Sequence, residues 1–220
     1  MKMKLSTFTT VLLSAAAAAL ITGCASSGYQ KSDQAAANIQ KAATQIDALP
    51  AQIDKTLAAL NGIVDKPQPN LVPQFKTFSS ELENLKSQAQ DIQDLRRKMG
   101  ESGQAFLTDW DQQLAQIKNE DIKSRSQSRM DEVKKQLNDV KAHYEEAANA
   151  FKPFMSELKD IQKYLSIDLT TAGIDSLKKT VASVNKKAAP LKESIAKVGA
   201  DFKDLGISLS SNAPAPAPAK

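Results

Sequence analysis

The stretch "IDSLKKTVASVNKKAAPLKESIAKVGADFKDL", residues 174–205, decides the fold. Its apolar positions are Ile174, Leu177, Val181, Val184, Ala188, Leu191, Ile195, Val198, Phe202 and Leu205, alternating steps of three and four without a miss. Such steps average about 3.5 residues, the period of a supercoiled helix, so all ten side chains fall on one stripe that partner helices must cover. A strand would need apolar residues at every second position instead.

Moving outward toward the N-terminus, the same phase recurs in three more segments. Residues 122–165 carry Met130, Val133, Leu137, Val140, Tyr144, Ala147, Phe151, Phe154, Leu158, Ile161 and Leu165. Residues 71–117 carry Leu71, Phe75, Phe78, Leu82, Leu85, Ala89, Ile92, Met99, Phe106, Trp110 and Ile117, with Arg96 and Gly103 as lapses. Residues 32–64 repeat Ile39, Ile46, Ile53 and Leu60 every seven, with Ala42, Leu49 and Ile63 between them. The breaks are "DKPQPN" (65–70), a turn by its prolines with Asn70 as candidate N-cap of the next helix, "KNEDIK" (118–123), a polar interruption, and "SIDLTTAG" (166–173), whose Thr and Asp residues suit capping.

Four helices over 32–64, 71–117, 122–165 and 172–205, joined by short connections, predict an all-α, antiparallel up-down four-helix bundle with coiled-coil-like heptads spanning 32–206. The inner two are the longer, roughly 65 to 70 Å at about 1.5 Å per residue. Residues near 104–135 are therefore expected to project as a two-helix hairpin, from the end that also carries the N-terminal segment.

That N-terminal segment is not part of the bundle. Residues 1–23 open Met-Lys-Met-Lys, continue into the apolar "VLLSAAAAALI" (11–21) and end on Thr22 and Gly23. A basic start, a short apolar core and small residues at the cut make a secretory signal peptide, too short to span a bilayer as a helix. The order Ile21-Thr22-Gly23-Cys24 resembles the lipoprotein cleavage motif of bacteria, which implies cutting before Cys24 and acylation of that residue. Cys24 is the sole cysteine, so no intramolecular disulfide or cysteine-based zinc cluster is expected. Two or more acyl chains hold a protein firmly at a membrane, where one does not. Ala25 and Ser26 lack the aspartate that resembles an inner-membrane retention signal, so an outer-membrane site facing the periplasm is expected, with residues 24–31 as tether. Removing Lys2 and Lys4 from 29 basic residues leaves 27 against 25 acidic, a balance that gives no reason to expect a nucleic-acid partner.

Three further features have a sharp reading and a plain one. Phe106, Leu107, Trp110, Arg125 and Arg129, near the expected tip, are candidates for contact with lipid headgroups or a partner helix. Phe106 and Trp110 keep the seam's phase, however, and the plainer expectation is that they close the hairpin. Pro50, Pro153 and Pro190 interrupt three helical patterns; they mark either a shared bend plane or, more simply, separate kinks at exposed positions. The tail 207–220, ending "NAPAPAPAK", is a polyproline-type spacer. Its Lys220 resembles the wall-linked C-terminal lysine of the murein lipoprotein, although Ala219 stands where that protein has arginine.

Chemistry-bearing constellations are missing from the pattern. His143 is the only histidine, so Glu-x-x-His pairs for a di-iron bundle and a His-assisted nucleophile are not available. No cofactor, no metal site and no enzymatic activity are expected.

The run "FLTDWDQQLAQIKNEDIKSRSQSRMDEVKKQLNDVKAHYEE", with "YLSIDLTTAGIDSL" beyond it, resembles an uncharacterised bacterial family of long-helix lipoproteins. The shared features are Trp110 between Asp109 and Asp111, the polar turn before Ser124–Arg129, and Leu169, Ile174 and Leu177 at fixed spacing, across residues 104–205. The resemblance implies an envelope lipoprotein without an assigned activity and transfers no site residues. The function expected is a lipid-anchored periplasmic module that meets envelope proteins or spaces envelope layers. The alternative is a bundle that binds a lipid or small ligand. An apolar cavity of several hundred cubic ångströms would favour the second, and an unbroken packed seam the first.

Overall fold

A computed structural model describes residues 28–211. The signal segment, its cleavage motif Ile21, Thr22 and Gly23, the lipidation residue Cys24 and the terminal Lys220 lie outside the described residues. Four helices follow in order: α1 (Gly28–Asp65), α2 (Val72–Leu114), α3 (Glu120–Ile167) and α4 (Thr171–Leu209). Each packs on its two neighbours and none on its diagonal, so the four form a square, antiparallel bundle. The expected all-α four-helix bundle is what the chain adopts.

The periodicity explains the core. All ten apolar positions of the 174–205 stretch are buried, as are the seven named in α1. At the end formed by the α1–α2 and α3–α4 connections the four stripes close completely. Ile53, Leu60 and Ile63 of α1, Phe78, Leu82 and Leu85 of α2, Phe154, Leu158, Ile161 and Leu165 of α3, and Val184 of α4 are 0–1% exposed. Gln52 and Thr56, the buried polar residues among those described, are paired, as burial demands. Gln52 Nε2 donates to Glu81 Oε2 at 2.7 Å, and the Thr56 hydroxyl lies 3.1 Å from Glu81 O, fixing the register of α1 on α2. Asn61 and Asn185 exchange amide hydrogen bonds of 3.3 and 2.8 Å between α1 and α4. The α1–α4 seam is also drawn tight by small residues: a Cβ on Gly206 would sit 3.0 Å from Gln40 Cγ and 3.3 Å from Ile39 Cγ2.

The helix starts follow local chemistry. Asn119 caps α3 by accepting from Ile122 N at 3.1 Å, with Glu120 and Asp121 in the first turn where the helix dipole favours them. Thr170 caps α4 through Gly173 N at 3.1 Å. At α2 the cap position is Leu71, one residue later than the sequence suggested, and Asn70 Oδ1 accepts from Val72 N at 3.1 Å. Pro50, Pro153 and Pro190 sit inside continuous helices, Pro50 half-buried and the others exposed.

The α2 helix ends at Leu114 rather than 117 and α3 spans Glu120–Ile167 rather than 122–165, but two other boundaries move furthest. Helix α1 begins at Gly28, inside the segment 24–31 read as tether, and α4 runs to Leu209, inside the tail read from 207. The reason is a clasp between the two ends: Ser32 Oγ donates to Leu209 O at 2.6 Å, and Asp33 accepts from both Ser211 N and Ser211 Oγ at 2.7 Å. Polar residues without a strong stripe are thus held helical by their partners. The inner helices are still the longer, 43 and 48 residues against 38 and 39. The overhang shrinks accordingly. Gly28 lies beside the Gln113 side chain and Lys31 Nζ reaches Asp109 at 2.9 Å, while Arg129 Nη2 donates to Ser208 O at 2.5 Å. Only residues 114–128 project beyond α1 and α4, not 104–135.

Candidate functional site

The site begins with an asymmetry between the two columns of each heptad stripe. On α3 the column Val133, Val140, Ala147, Phe154 and Ile161 is buried throughout. The alternate column Leu137, Tyr144 and Phe151 is only half-buried, until Leu158 closes it. Its counterpart on α2 is Ala89, Arg96 and Gly103, spaced by sevens like the residues opposite them. The Arg96 guanidinium lies 5.1 Å over the Tyr144 ring, and a Cβ on Gly103 would stand 3.6 Å from Leu137 Cδ2. The large α3 side chains thus face an α2 column that offers a methyl group, a charge or no side chain at all, with Ala89 and Phe151 lining the same space. A close-packed seam needs volume from both sides, and here one side lacks it. As a result α2 and α3, although consecutive, make the loosest of the four helix contacts.

A groove runs along this loose seam. Its first chamber, about 790 Å³, has Ile46 and Leu49 of α1 with Ile195 and Val198 of α4 as floor; Ala89, Ile92, Ala148, Phe151 and Met155 line its walls. Its second chamber, about 820 Å³, continues toward the α2–α3 turn past Met99, Leu107, Leu137, Phe202 and Leu205. Arg96 and Tyr144 line both, so their stacked pair divides the chambers. Arg96 also pairs with Glu145 at 3.4 Å, and Trp110 Nε1 donates to Ser126 Oγ at 2.9 Å. Among the described residues these are the polar bonds between α2 and α3. Burial pushes the Tyr144 phenol above its ordinary value, with the Arg96 charge pulling it down.

Charge around the first chamber is uneven. Lys86, Arg96, Lys152 and Lys159 line it against one carboxylate, Glu145. Lys86 pairs with Glu83 at 2.9 Å, and Arg96 with Glu145. Lys152 and Lys159 have no ion pair among the described residues.

The residues singled out from sequence at the tip are placed elsewhere. Phe106 and Trp110 are half-buried with ring centroids 5.5 Å apart, and the Trp110 bond to Ser126 closes the base of the hairpin. Leu107 faces the second chamber. Arg129 is held by Ser208 O and Glu132, which leaves Arg125 as the exposed member of the five. The exposed large apolar residues at this end, among the described residues, are Tyr29, 63% exposed, Ile122, 55%, and Ile207, 46%, which the sequence reading did not name. His143 Nδ1 lies 2.5 Å from Asp201 Oδ2, joining α3 to α4. Among the described residues, no three His, Cys, Asp or Glu side chains form a group able to hold a metal ion. No described helix is long and apolar enough to cross a membrane.

The family described as protein of unknown function, DUF2959, has a model that matches residues 22–202. The chain belongs to the DUF2959 family. The match is wider than the 104–205 span on which the resemblance was drawn, and takes in every residue lining the first chamber. No curated protein and no solved structure matches this DUF2959 chain. Its groove was signalled in the sequence by Arg96 and Gly103, the two lapses in the α2 stripe; Lys152 and Lys159, off the stripe, carried no such mark.

Proposed function

We propose that this chain is a lipoprotein of the bacterial envelope, held at the outer membrane and facing the periplasm through acyl groups on Cys24, and that its bundle is a binding module working through the α2–α3 groove. The observation that carries the second half is the parted seam itself. A bundle serving only as a spacer has no use for two chambers of about 790 and 820 Å³ along one helix pair, and pockets of about 300–1,000 Å³ are the size that ligands occupy. The ligand-binding alternative thereby moves ahead of the spacer. Neither reading calls for an enzymatic step.

The anchor is supported by the charge, length and cut-site chemistry of residues 1–24. Three residues separate Cys24 from Gly28, four steps along the chain and a reach of at most about 14 Å. An acylated Cys24 would keep the Gly28 end of the bundle beside the membrane. Tyr29, Ile122, Lys118 and Arg125 stand exposed at that end, a composition suited to a headgroup layer.

Photocrosslinkers at Gln93 and Ala148, which line the groove, should capture a molecule in cells, and the same groups at the exposed Ala48 and Ala182 should not. Equal yields at all four positions would remove the groove as the working surface. Separately, Cys24→Ser should release the protein from the membrane fraction and abolish labelling by fatty acid. Retention with unchanged mobility would refute the anchor.

A further inference from the structure

We infer that the occupant of the groove is a single-chain anionic amphiphile, its acyl chain lying between α2 and α3 and its headgroup held by Lys86, Lys152 and Lys159. This rests on the reading of the groove as the working surface and names what that surface takes.

The placement of the cations carries the inference. The antiparallel register set by the Trp110–Ser126 and Arg96–Glu145 bonds brings Lys86 level with about residues 150–155, beside Lys152 and roughly one turn from Lys159. On α3, positions 148, 152, 155 and 159 step by four, three and four, so Ala148, Lys152, Met155 and Lys159 share one stripe along the chamber. Apolar and cationic side chains thus alternate on the same wall. A lysine stem can lie along apolar surface while its ammonium reaches an anion at the rim. Lys152 and Lys159 have no ion pair among the described residues, so a phosphate or carboxylate would meet cations without displacing a protein carboxylate from them.

From this cationic end the chamber runs to the Arg96–Tyr144 pair. Along α2 that is Lys86 to Arg96, ten residues, or about 15 Å. Half of a bilayer's hydrocarbon core of about 30 Å is the same length, so one acyl chain fits the run. Ala89 and Ala148 leave room at its middle, and Ile46, Leu49, Ile195 and Val198 supply its apolar floor. These floor residues are only 2–6% exposed, so a chain settles onto them by moving α2 and α3 further apart. Among the described residues, only the Arg96 contacts and the Trp110–Ser126 bond cross that seam as polar links. A partner helix would find less of a match: its own polar face would have to answer three clustered lysines at one end and a stacked Arg96–Tyr144 pair across its path.

The test uses the full chain, purified with its native anchor and placed in phosphatidylcholine vesicles. The probes are palmitoyl lysophosphatidylglycerol and palmitoyl lysophosphatidylcholine, each with a diazirine in the chain. Photoproducts should map to Ala89, Ile92, Ala148 and Phe151, with the anionic probe captured about tenfold more, the size of one charge-assisted contact. The pair Lys152→Glu and Lys159→Glu, both at exposed positions, should erase that preference and leave ellipticity and melting unchanged. Ala148→Trp should block both probes. Equal capture of the two probes, or a preference that survives the lysine changes, would overturn the anionic headgroup. Labels spread over the outer faces of α1 and α4 would overturn the site. If groove crosslinkers capture a protein or a second copy in cells while neither probe lands there, the amphiphile is refuted and the groove stands. If nothing at all is captured there, both readings fall.

Discussion

Truncating leucines on the two halves of the α2–α3 seam should give unequal costs, and the inequality measures whether the seam is parted in solution. Leu85 and Leu158 are fully buried in the closed half. Replacing either by alanine removes its transfer free energy and leaves a cavity that rigid neighbours cannot fill, about 3–4 kcal/mol. Leu107 and Leu137 are half-buried along the second chamber. There the cost is a fraction of about 0.8 kcal/mol per methylene with no cavity term, so about 1 kcal/mol. For a chain of this size about 2–4 °C of melting shift accompanies each kcal/mol; the first pair should lose roughly 6–16 °C and the second roughly 2–4 °C. Insertion gives the complementary reading. Ala148→Phe should be nearly neutral in an open chamber, while Ala43→Phe, in the closed α1–α4 seam at 1% exposure, should cost about 1–3 kcal/mol. Thermal unfolding of the full chain followed by far-UV ellipticity reads all six proteins. If Leu107→Ala and Leu137→Ala cost as much as Leu158→Ala, or Ala148→Phe costs as much as Ala43→Phe, the groove is closed and the reasoning fails.

Other consequences follow from the same geometry. Gly100 has no atom within 4 Å of a built Cβ, so Gly100→Ala should stabilise α2 by about 0.5–1 kcal/mol in denaturant titration. Gly173→Ala should destabilise by about 1–3 kcal/mol, because its Cβ would lie 2.6 Å from the Asp168 backbone oxygen and α4 could not start there unshifted. The double change Arg96→Leu and Gly103→Leu supplies the volume missing from the α2 column; it should raise the melting temperature and cut groove crosslinking, and a protein that melts lower would argue against a packing origin for the gap. Hydrogen bonds from Ser211 N and Oγ hold the Asp33 carboxyl below the usual carboxylate range. A depressed folded value means the clasp contributes above the unfolded value and is lost as pH falls through the folded one. The protection of the Ser211 amide, its exchange rate relative to an unfolded chain at the same pH, should therefore fall on acidification below about pH 4, and Asp33→Asn should abolish that loss.

Helix number, order and burial could be read from residues because one rule governed them. In α4 each apolar residue at a three-or-four step meets a neighbour of similar bulk, and all ten are buried. Boundaries were less legible for a reason that acts over long sequence distance. Residues 28–31 carry little stripe of their own, and their helix depends on a clasp between Ser32 or Asp33 and residues some 177 positions away. That clasp is what shortened the overhang, since it carried α1 and α4 toward the turn. The Thr170 cap could be anticipated from composition, being local hydrogen-bond chemistry of the kind that sequence records directly. Asn119 reads only as part of a polar interruption, and Asn70, the residue named, stands one before the cap position.

The groove was half legible, and the missing half was a matter of pairing. On α2 alone, Arg96 and Gly103 look like tolerated lapses, and Ala89 like a small seam residue. On α3 alone, Leu137, Tyr144 and Phe151 look like good core. Only the register joins the two sets, placing Gly103 against Leu137 and Arg96 against Tyr144, with Ala89 and Phe151 on the walls of the same chamber. A single lapse would leave one local void that neighbours could fill by adjusting. Two lapses and a small residue, Ala89, at a spacing of seven lie on one line, and no rotamer change at one of them helps the next. A gap in a periodic stripe therefore carries information when it is itself periodic, and here its period matches that of the α3 column it faces. The same register sets the groove's polarity. Its cationic end abuts the closed half at Leu85 and Leu158, and its second chamber opens toward the turn beside Gly28, the end nearest Cys24.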